Sequence, residues 1–171
     1  MKTLILGGVK SGKSRYAEIM AADISKSVTV IATATVMDEE MAIRVARHQE
    51  VRPQSWKTVE EPVHLGKALR LLTSSDVVVI DCLTLWLTNL LMLSDTAKLN
   101  DEIKDFTSAI VGFKQPLILV SNETNMGILP LGDLTRRYCD QVGLLHQKLA
   151  KLCDKVELVV AGLPLTLKEA T

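Results

Sequence analysis

Near its amino terminus the sequence reads Gly7-Gly8-Val9-Lys10-Ser11-Gly12-Lys13-Ser14. This stretch matches G-x-x-x-x-G-K-[ST], the pattern of a P-loop. Its glycines allow backbone angles that a side chain would block, so successive N–H groups can converge on phosphate oxygens. Lys13 can reach the β- and γ-phosphates, and the Ser14 hydroxyl can bind Mg²⁺. We therefore predict that residues 7–14 bind a nucleoside triphosphate.

The residues on either side of this loop support that interpretation. Leu4-Ile5-Leu6 precedes it and is typical of a buried strand, and residues 14–22 follow with helical character. A helix that begins near Gly12 adds its positive N-terminal end to the same anion site. The alternative is a glycine-rich turn between a strand and a helix that binds nothing. The order of strand, loop and helix favours the nucleotide site.

The composition is that of an ordinary globular protein. Of the 171 residues, 47% are apolar and 23% are charged, which suffices for one domain with a full core. The formal net charge is zero, so we expect neither a nucleic-acid partner nor a charged membrane surface. No repeat or shift in composition divides the chain. We predict a single nucleotide-binding catalytic domain over residues 1–171.

Three cysteines, Cys82, Cys139 and Cys153, are widely spaced and form no C-x-x-C pair. A disulfide framework or a zinc site is therefore not expected, and a reducing cytoplasm fits. The first apolar run is too short for a signal peptide. The most lipophilic stretch, residues 82–93, is too short to span a bilayer and predicts a buried helix. We expect a cytoplasmic protein without membrane insertion.

Short runs rich in β-branched residues predict the strands. They cover residues 2–6, 28–32, 77–81, 117–121 and 157–161, with two shorter candidates at 56–59 and 165–168. Each long run is nearly continuous in apolar residues, as expected for parallel strands that are covered on both faces. The segments between them are long enough for crossover helices. We predict an α/β, P-loop NTPase-like fold with a mostly parallel sheet and helices on both faces.

Polar residues or glycines follow these strands at the edge where parallel sheets bind ligands. They are the loop 7–14, Thr33, Asp81, Ser121-Asn122-Glu123 and Gly162. Asp81 ends an apolar strand, and a carboxylate in that place beside a P-loop usually holds Mg²⁺. The alternative is that Asp81 caps the helix that follows it. The presence of the P-loop favours the metal role.

The segment 38–53 predicts a helix with unusual chemistry. Asp38 can cap its start, and Pro53 marks its end. Arg44, His48 and Arg52 are four residues apart and share one face. The arginines disfavour a second positive charge, so we expect the pKa of His48 to fall and the imidazole to be a neutral nucleophile. Spacing alone favours the simpler alternative, a solvated basic face with an incidental histidine.

The other two histidines are weaker candidates. His64 follows Glu60-Glu61-Pro62 near a predicted helix start and is interpreted as a surface residue. His146 lies in a C-terminal amphipathic segment, where a partly buried and hydrogen-bonded histidine is expected.

The sequence closely resembles the bifunctional adenosylcobinamide kinase / adenosylcobinamide-phosphate guanylyltransferase family of cobalamin biosynthesis. The matching stretches run nearly from end to end. They are Gly7-Gly8-x-x-Ser11-Gly12-Lys13-Ser14-Arg15, Asp38-x-Glu40-Met41-x-x-Arg44-x-x-x-His48, Arg52-Pro53-x-x-Trp56-x-Thr58-x-Glu60, Asp81-Cys82-Leu83-Thr84-x-Trp86-x-x-Asn89, Ser121-Asn122-Glu123 and Arg136-x-Tyr138-x-Asp140. This combination is more specific than a P-loop, and it favours a catalytic His48.

The resemblance implies two reactions. The first transfers a phosphoryl group from ATP or GTP to the corrinoid adenosylcobinamide. The second transfers GMP from GTP to the new phosphate through a guanylylated histidine at the position of His48. It also implies a homo-oligomer, a trimer. Besides Lys13 as a catalytic residue and Ser14 and Asp81 as metal ligands, the implied nucleotide contacts are Gly7, Gly8, Val9, Lys10, Ser11, Gly12, Lys13, Ser14, Ala32, Thr33, Ala34, Gln49, Glu50, Val51, Arg52, Glu60 and Asp81.

Two residues depart from the family pattern. Lys10 stands where arginine is usual, which keeps the charge but loses bidentate phosphate geometry. Asn125 stands where glycine is common, and asparagine tolerates left-handed backbone angles better than most residues.

Two rival functions remain at this point. One is a simple P-loop small-molecule kinase in which His48 is inert. The other is a nucleotide-dependent switch that binds partners and turns over poorly. The His48 helix face separates the bifunctional enzyme from the simple kinase, because a kinase does not need it.

Overall fold

The computed structural model describes residues 1–35, 53–72 and 76–169. Seven strands lie within these ranges: β1 (Lys2–Gly7), β2 (Val28–Ala32), β3 (Lys57–Glu60), β4 (Val77–Asp81), β5 (Leu117–Asn122), β6 (Lys155–Val160) and β7 (Leu163–Lys168). The helices described are α1 (Lys13–Ile24), α2 (Leu65–Leu71), α3 (Leu83–Met92), α4 (Thr96–Gly112) and α5 (Asp133–Leu152). The predicted helix with Arg44, His48 and Arg52 lies outside the described residues.

All of these strands form one sheet in the order β3-β2-β4-β5-β1-β6-β7. Neighbours from β3 to β6 pair in parallel, and β7 returns antiparallel to β6 at the edge. The predicted α/β architecture is confirmed. The strand expected at 165–168 is present but begins at Leu163. Its direction is set by the tight turn at Ala161 and Gly162, which both have positive φ.

The sheet is covered on both faces because successive side chains of a strand point to opposite sides. Ile5 of β1 joins a core cluster with Ala17 and Ala21 of α1. Its neighbours Leu4 and Leu6 join a second, larger cluster that contains residues of α2, α3, α4 and α5. Of the five helices described, α1 therefore lies on the face of Ile5, and the other four lie on the face of Leu4.

The lipophilic stretch at 82–93 is a buried helix, as the sequence predicts. Trp86 of α3 packs edge-on against Phe106 of α4 with 5.0 Å between ring centroids, and its Nε1 donates to the carbonyl O of Val63 at 2.7 Å. A buried indole keeps its N–H partnered in this way. Among the described helices, none has both the length and the apolar character to cross a membrane.

The turn after β1 provides a matched pair of substitutions. A Cβ added at Gly7 would lie 2.5 Å from Oγ of Ser11 and 2.6 Å from the backbone O of Val159, whereas one added at Gly8 meets nothing within 4 Å. Val159 belongs to β6, so its oxygen cannot move without disturbing the sheet. We expect Gly7→Ala to lower stability by about 1–3 kcal/mol, or roughly 2–4 °C in Tm per kcal/mol.

Gly8→Ala is the control, because both variants change the same loop by one methyl group. Its Tm should stay within about 1–2 °C of the parent value. Equal losses of Tm in the two variants, measured by thermal unfolding without nucleotide, would contradict this packing account.

Candidate nucleotide-binding site

The carboxyl ends of the parallel strands meet along one edge of the sheet. In the register, Gly7 pairs with Asn122 of β5, and Ala32 pairs with both Asp81 and Glu60. The prediction that polar residues after different strands converge there is confirmed. The loop 7–14, Asp81, Asn122 and the segment after Ala32 share that edge.

The loop between β1 and α1 has the geometry of an anion site. Lys10 and Gly12 adopt left-handed backbone angles, with φ of 56° and 96°. The Ser11 N–H donates to the carbonyl O of Gly8 at 3.2 Å, and the Tyr16 N–H donates to that of Gly12 at 2.9 Å. Gly12 is the N-cap of α1, so the unpaired N–H groups of the helix start point toward the loop.

The loop is also anchored from outside. The N–H of Gly162 donates to the carbonyl O of Ser11 at 2.8 Å. A Cβ at Gly12 would lie 3.2 Å from the Cα of Gly162, and the positive φ of Gly12 already favours glycine. The sequence placed Gly162 at this edge, and the structure adds that the β6–β7 turn fastens the P-loop.

Lys13 extends its side chain back over the loop. Its Nζ donates to the carbonyl O of Gly8 at 3.1 Å, and the residue is buried. The ammonium group is thus held beside the backbone N–H groups of the loop, where it can meet the terminal phosphates of a nucleotide. Lys10 and Val9 are exposed at the loop tip, and Ser14 is half-buried in the first turn of α1.

Asp81 ends β4 and is half-buried at the same edge. The helix that follows has Cys82, the next residue, as its N-cap. Burial and then the charge of Asp81 raise the pKa of the Cys82 thiol to about 11. This thiol is protonated at neutral pH, so it is not an activated nucleophile.

Thr33 ties the ends of β2 and β4 together. Its hydroxyl donates to the carbonyl O of Cys82 at 2.6 Å and accepts the Cys82 N–H at 3.0 Å. Asn89 of α3 donates from Nδ2 to the carbonyl oxygens of Thr33, at 2.9 Å, and of Pro62, at 3.1 Å. Thr33 is fully buried, so its hydroxyl holds the edge together rather than facing a ligand. No sequence pattern predicted this bond.

A second buried network lies behind β5. Nε2 of His146 is 2.8 Å from Oγ of Ser121, and Nδ1 is 3.7 Å from Oε2 of Glu123. Thr84 Oγ1 accepts the Asn122 N–H at 2.8 Å and lies 3.5 Å from Oγ of Ser121. Burial lowers the pKa of His146, and the Glu123 carboxylate opposes that shift in part. The expectation of a partly buried, hydrogen-bonded His146 agrees with this structure.

Asn125 does not use the left-handed conformation that its identity suggests. Positive φ at described non-glycine residues occurs at Lys10, Ser94 and Ala161. Asn125 instead donates from Nδ2 to the carbonyl O of Cys139 at 2.8 Å, which fastens the loop after β5 to α5. The amide side chain therefore contributes a contact that glycine cannot make.

The remaining predicted residues are at least partly exposed, or they lie outside the described ranges. Glu60 is exposed at the end of β3, and Ala34 is half-buried after β2. His64 is exposed and pairs through Nδ1 with Oε1 of Glu102 at 2.7 Å, as a surface histidine would. The candidates of residues 36–52, which are His48, Gln49, Glu50, Val51 and Arg52, are not among the described residues, and their roles stay predictions.

A family model described as cobinamide kinase / cobinamide phosphate guanyltransferase matches residues 3–167. The chain belongs to the cobinamide kinase / cobinamide phosphate guanyltransferase family. This match includes both the P-loop and His48. It confirms the resemblance seen in the sequence and the predicted enzyme class.

Curated relatives of this family match over nearly their whole length. The bifunctional adenosylcobalamin biosynthesis protein CobP of Pseudomonas aeruginosa is 47% identical over 169 residues, covering 98% of each chain. The bifunctional adenosylcobalamin biosynthesis protein CobU of Escherichia coli K12 is 36% identical, covering 98% of this chain and 100% of that one. The cobinamide kinase / cobinamide phosphate guanyltransferase assignment therefore applies to the whole length of the chain.

A solved structure from Pyrococcus horikoshii OT3 is similar in fold. It has a TM-score of 0.52 at 8% sequence identity and covers 99% of this chain and 87% of that chain. At this identity the likeness supports the α/β architecture alone.

Lys13→Ala tests the phosphate cradle of the P-loop. The substitution removes the cation held beside the loop, so phosphoryl transfer should fall on the order of a thousandfold, the scale for losing one cation at a transferring phosphate. Steady-state kinetics with ATP and Mg²⁺ measures the change. Lys26→Ala, at an exposed position in the connection between α1 and β2, removes the same charge and should keep the parent rate. Near-parent turnover of Lys13→Ala would remove the P-loop from the mechanism.

Proposed function

We propose that this protein phosphorylates adenosylcobinamide with ATP or GTP and then transfers GMP from GTP to the resulting phosphate. The products are adenosylcobinamide phosphate and then adenosylcobinamide-GDP. The observation that carries the proposal is the family match over residues 3–167, because it spans the P-loop, Asp81 and His48. The names of the relatives, bifunctional adenosylcobalamin biosynthesis proteins, agree with it.

The kinase step uses the P-loop. The backbone N–H groups of the loop and the Lys13 ammonium hold the β- and γ-phosphates and offset the charge that spreads over the transferred group. The cobinamide hydroxyl oxygen bonds to the γ-phosphorus as the bond to the bridging oxygen breaks. Ala32, Ala34 and Glu60 lie at the same edge and are assigned to the nucleotide.

Mg²⁺ fits the oxygen donors at this edge. Ser14 offers a hydroxyl in the first turn of α1, and Asp81 offers a carboxylate at the end of β4. Within the described ranges, no cluster of three or more His, Cys, Asp or Glu side chains could hold a metal. Nucleotide enzymes usually hold Mg²⁺ with one or two protein oxygens together with phosphates and water. Bound there, the ion neutralises phosphate charge and orients the chain of phosphates.

The guanylyl step uses His48 as a carrier. A neutral imidazole nitrogen bonds to the α-phosphorus of GTP, and pyrophosphate leaves. The phosphate of adenosylcobinamide phosphate then bonds to the same phosphorus, and the P–N bond breaks. Arg44 and Arg52, each four residues from His48 in the sequence, would keep the imidazole neutral and offset the charge on the leaving group. Gln49, Glu50 and Val51 are assigned to the same nucleotide.

We assign both activities to one domain, residues 1–171, in a cytoplasmic homo-oligomer, most simply a trimer. The edge strand β7 supports the oligomer, because Leu163, Leu165 and Leu167 are exposed on it. Apolar side chains grouped on a surface in this way are typical of a subunit contact.

The competing function is a simple P-loop kinase in which His48 is inert. Intact-protein mass spectrometry after incubation with GTP and Mg²⁺ separates the two functions. The bifunctional enzyme should gain the mass of one GMP, and the simple kinase should gain none.

Asp81→Asn tests the metal assignment. The amide keeps the size of the side chain but loses its charge, so both reactions should slow and the Mg²⁺ concentration for half-maximal rate should rise about tenfold. Metal titrations of the kinase and guanylyl steps provide the measurement, with Tm as a check on folding. An unchanged Mg²⁺ requirement combined with a lower Tm would show that Asp81 has a structural role instead.

His48→Ala tests the carrier. It should abolish the GMP adduct and guanylyl transfer but leave cobinamide phosphorylation measurable, because the P-loop and Asp81 remain. His48→Asn should behave in the same way, since an amide is a poor nucleophile. The parent adduct should be labile in acid and stable in alkali, as a P–N bond is.

His64→Ala is the matched control, since it removes an exposed histidine outside the assigned site. It should keep the adduct at the parent level. A His48→Ala protein that still forms the adduct and completes the second reaction would refute the assignment of the nucleophile.

A further inference from the structure

Glu123 follows β5 at the point where the sheet meets the P-loop. Its N–H donates to the carbonyl O of Gly7 at 3.0 Å, and the preceding residue, Asn122, pairs with Gly7 in the register. In the sheet, β5 lies between β1 and β4. Glu123 is therefore placed between the P-loop and Asp81, the groups assigned to the phosphates and to Mg²⁺.

The carboxylate of Glu123 has one backbone hydrogen bond and one histidine neighbour. Oε1 accepts the N–H of Asn125 at 2.7 Å, and Oε2 lies 3.7 Å from Nδ1 of His146. Across residues 1–35, 53–72 and 76–169, no lysine or arginine forms an ion pair with it. Its side chain is 17% exposed, so the carboxylate can accept a proton from a group that enters this edge.

His146 fixes this arrangement through its two ring nitrogens. Nδ1 faces the Glu123 carboxylate at 3.7 Å, beyond direct hydrogen-bond distance, and the tautomer with its proton on Nδ1 is the one that directs an N–H toward these acceptor oxygens. In a neutral imidazole Nε2 is then the acceptor, and the Ser121 hydroxyl donates to it across 2.8 Å. Burial keeps the ring neutral by lowering the pKa of His146.

The series Ser121, His146 and Glu123 resembles the order of a hydrolytic triad, but it cannot act as one. Ser121 is fully buried, and its Oγ lies between His146 and Thr84, so no substrate carbonyl reaches it. The network instead ends at the only partly exposed group among these three, the Glu123 carboxylate. Among these three residues, Glu123 is therefore the one that a substrate can reach.

We propose that Glu123 is the base that accepts the hydroxyl proton of cobinamide during phosphoryl transfer, with His146 as its positioning residue. This inference rests on the proposed kinase activity. The alcohol oxygen forms a bond to the γ-phosphorus, and the bond from that phosphorus to the bridging oxygen of the nucleoside diphosphate breaks. The hydroxyl proton passes to Oε2 of Glu123 and leaves to water after the product departs.

The two reactions differ in their need for this base. An alcohol must lose a proton as it attacks, and a carboxylate that receives the substrate proton is a recurrent part of kinases. In the guanylyl step, the group that takes GMP from His48 is a phosphate monoester whose second pKa is about 6, so it is already ionised near pH 7.5. A base at Glu123 therefore acts in the first reaction and not in the second.

Glu123→Gln tests this difference in one protein. With adenosylcobinamide, ATP and Mg²⁺, we expect kcat to fall about 100-fold, the lower range of general-base effects, with the KM for ATP within about twofold. With adenosylcobinamide phosphate and GTP supplied, guanylyl transfer should stay within about twofold of the parent rate. The second assay also shows that the variant is folded.

Glu102→Gln is a matched control, because Glu102 also pairs with a histidine and its side chain is 14% exposed. It should keep both rates. Equal loss of both rates in Glu123→Gln, or unchanged kinase kcat, would overturn the proposal. If the parent protein phosphorylates no cobinamide, the proposed function fails; if only the selective loss is missing, this inference alone fails.

His146 is tested by a pair of variants. His146→Ala should lower kinase kcat about tenfold while guanylyl transfer is kept, because the carboxylate loses its fixed position. His146→Gln should recover most of the rate, since an amide can donate to Glu123 and accept from Ser121. Similar kcat values for the two variants, or parallel losses in both reactions, would show that His146 only fills space.

Discussion

The packing of the P-loop against β6 and its following turn is the contact on which the whole site depends. Ser11 accepts the Gly162 N–H at 2.8 Å, and Gly7 leaves no space for a Cβ beside the Val159 carbonyl. These contacts hold the loop in one conformation. A pre-formed anion site spends no binding energy on ordering the loop, so that energy remains for the transition state.

Beyond the ends of the strands, side-chain hydrogen bonds join the segments that the backbone hydrogen bonds of the sheet no longer connect. Thr33 bridges β2 to the backbone of Cys82, and Asn89 joins the loop after β2 to the loop after β3. Asp81 lies directly before Cys82, so the same bonds hold the backbone next to it in place. These bonds explain how Asp81 and the loop 7–14, which lie on different strands, can keep a constant separation.

Two reactions at one edge place different demands on the protein. Phosphoryl transfer to an alcohol needs a group that takes a proton, and transfer of GMP to a phosphate does not. The proposed roles divide along this line, with Glu123 and His146 assigned to the first reaction and His48 to the second. The P-loop, Lys13 and Asp81 belong to both. In this proposal the two steps share one phosphate site and use different residues for proton transfer and for nucleophilic attack.

The sequence by itself determined the elements whose signal is local. The β-branched runs predicted β1, β2, β4 and β5 to within a residue at each end, and the G-x-x-x-x-G-K-S pattern located the phosphate loop. These predictions succeed because strand burial and loop backbone angles are encoded by neighbouring residues. His48 was singled out by spacing and resemblance, and it stays a prediction.

Only the tertiary structure decided the contacts between distant residues. The pairing of His146 with Ser121 and the bond from Thr33 to Cys82 join residues 25 and 49 positions apart. The position of His146 in an amphipathic helix does not predict that Ser121 is its partner. The position of Thr33 after a strand predicts a ligand contact, but the structure shows its hydroxyl bonded to Cys82 instead. The antiparallel course of β7 likewise follows from the positive φ at Ala161 and Gly162. Partner choice is set by how elements pack in space, which local periodicity does not encode.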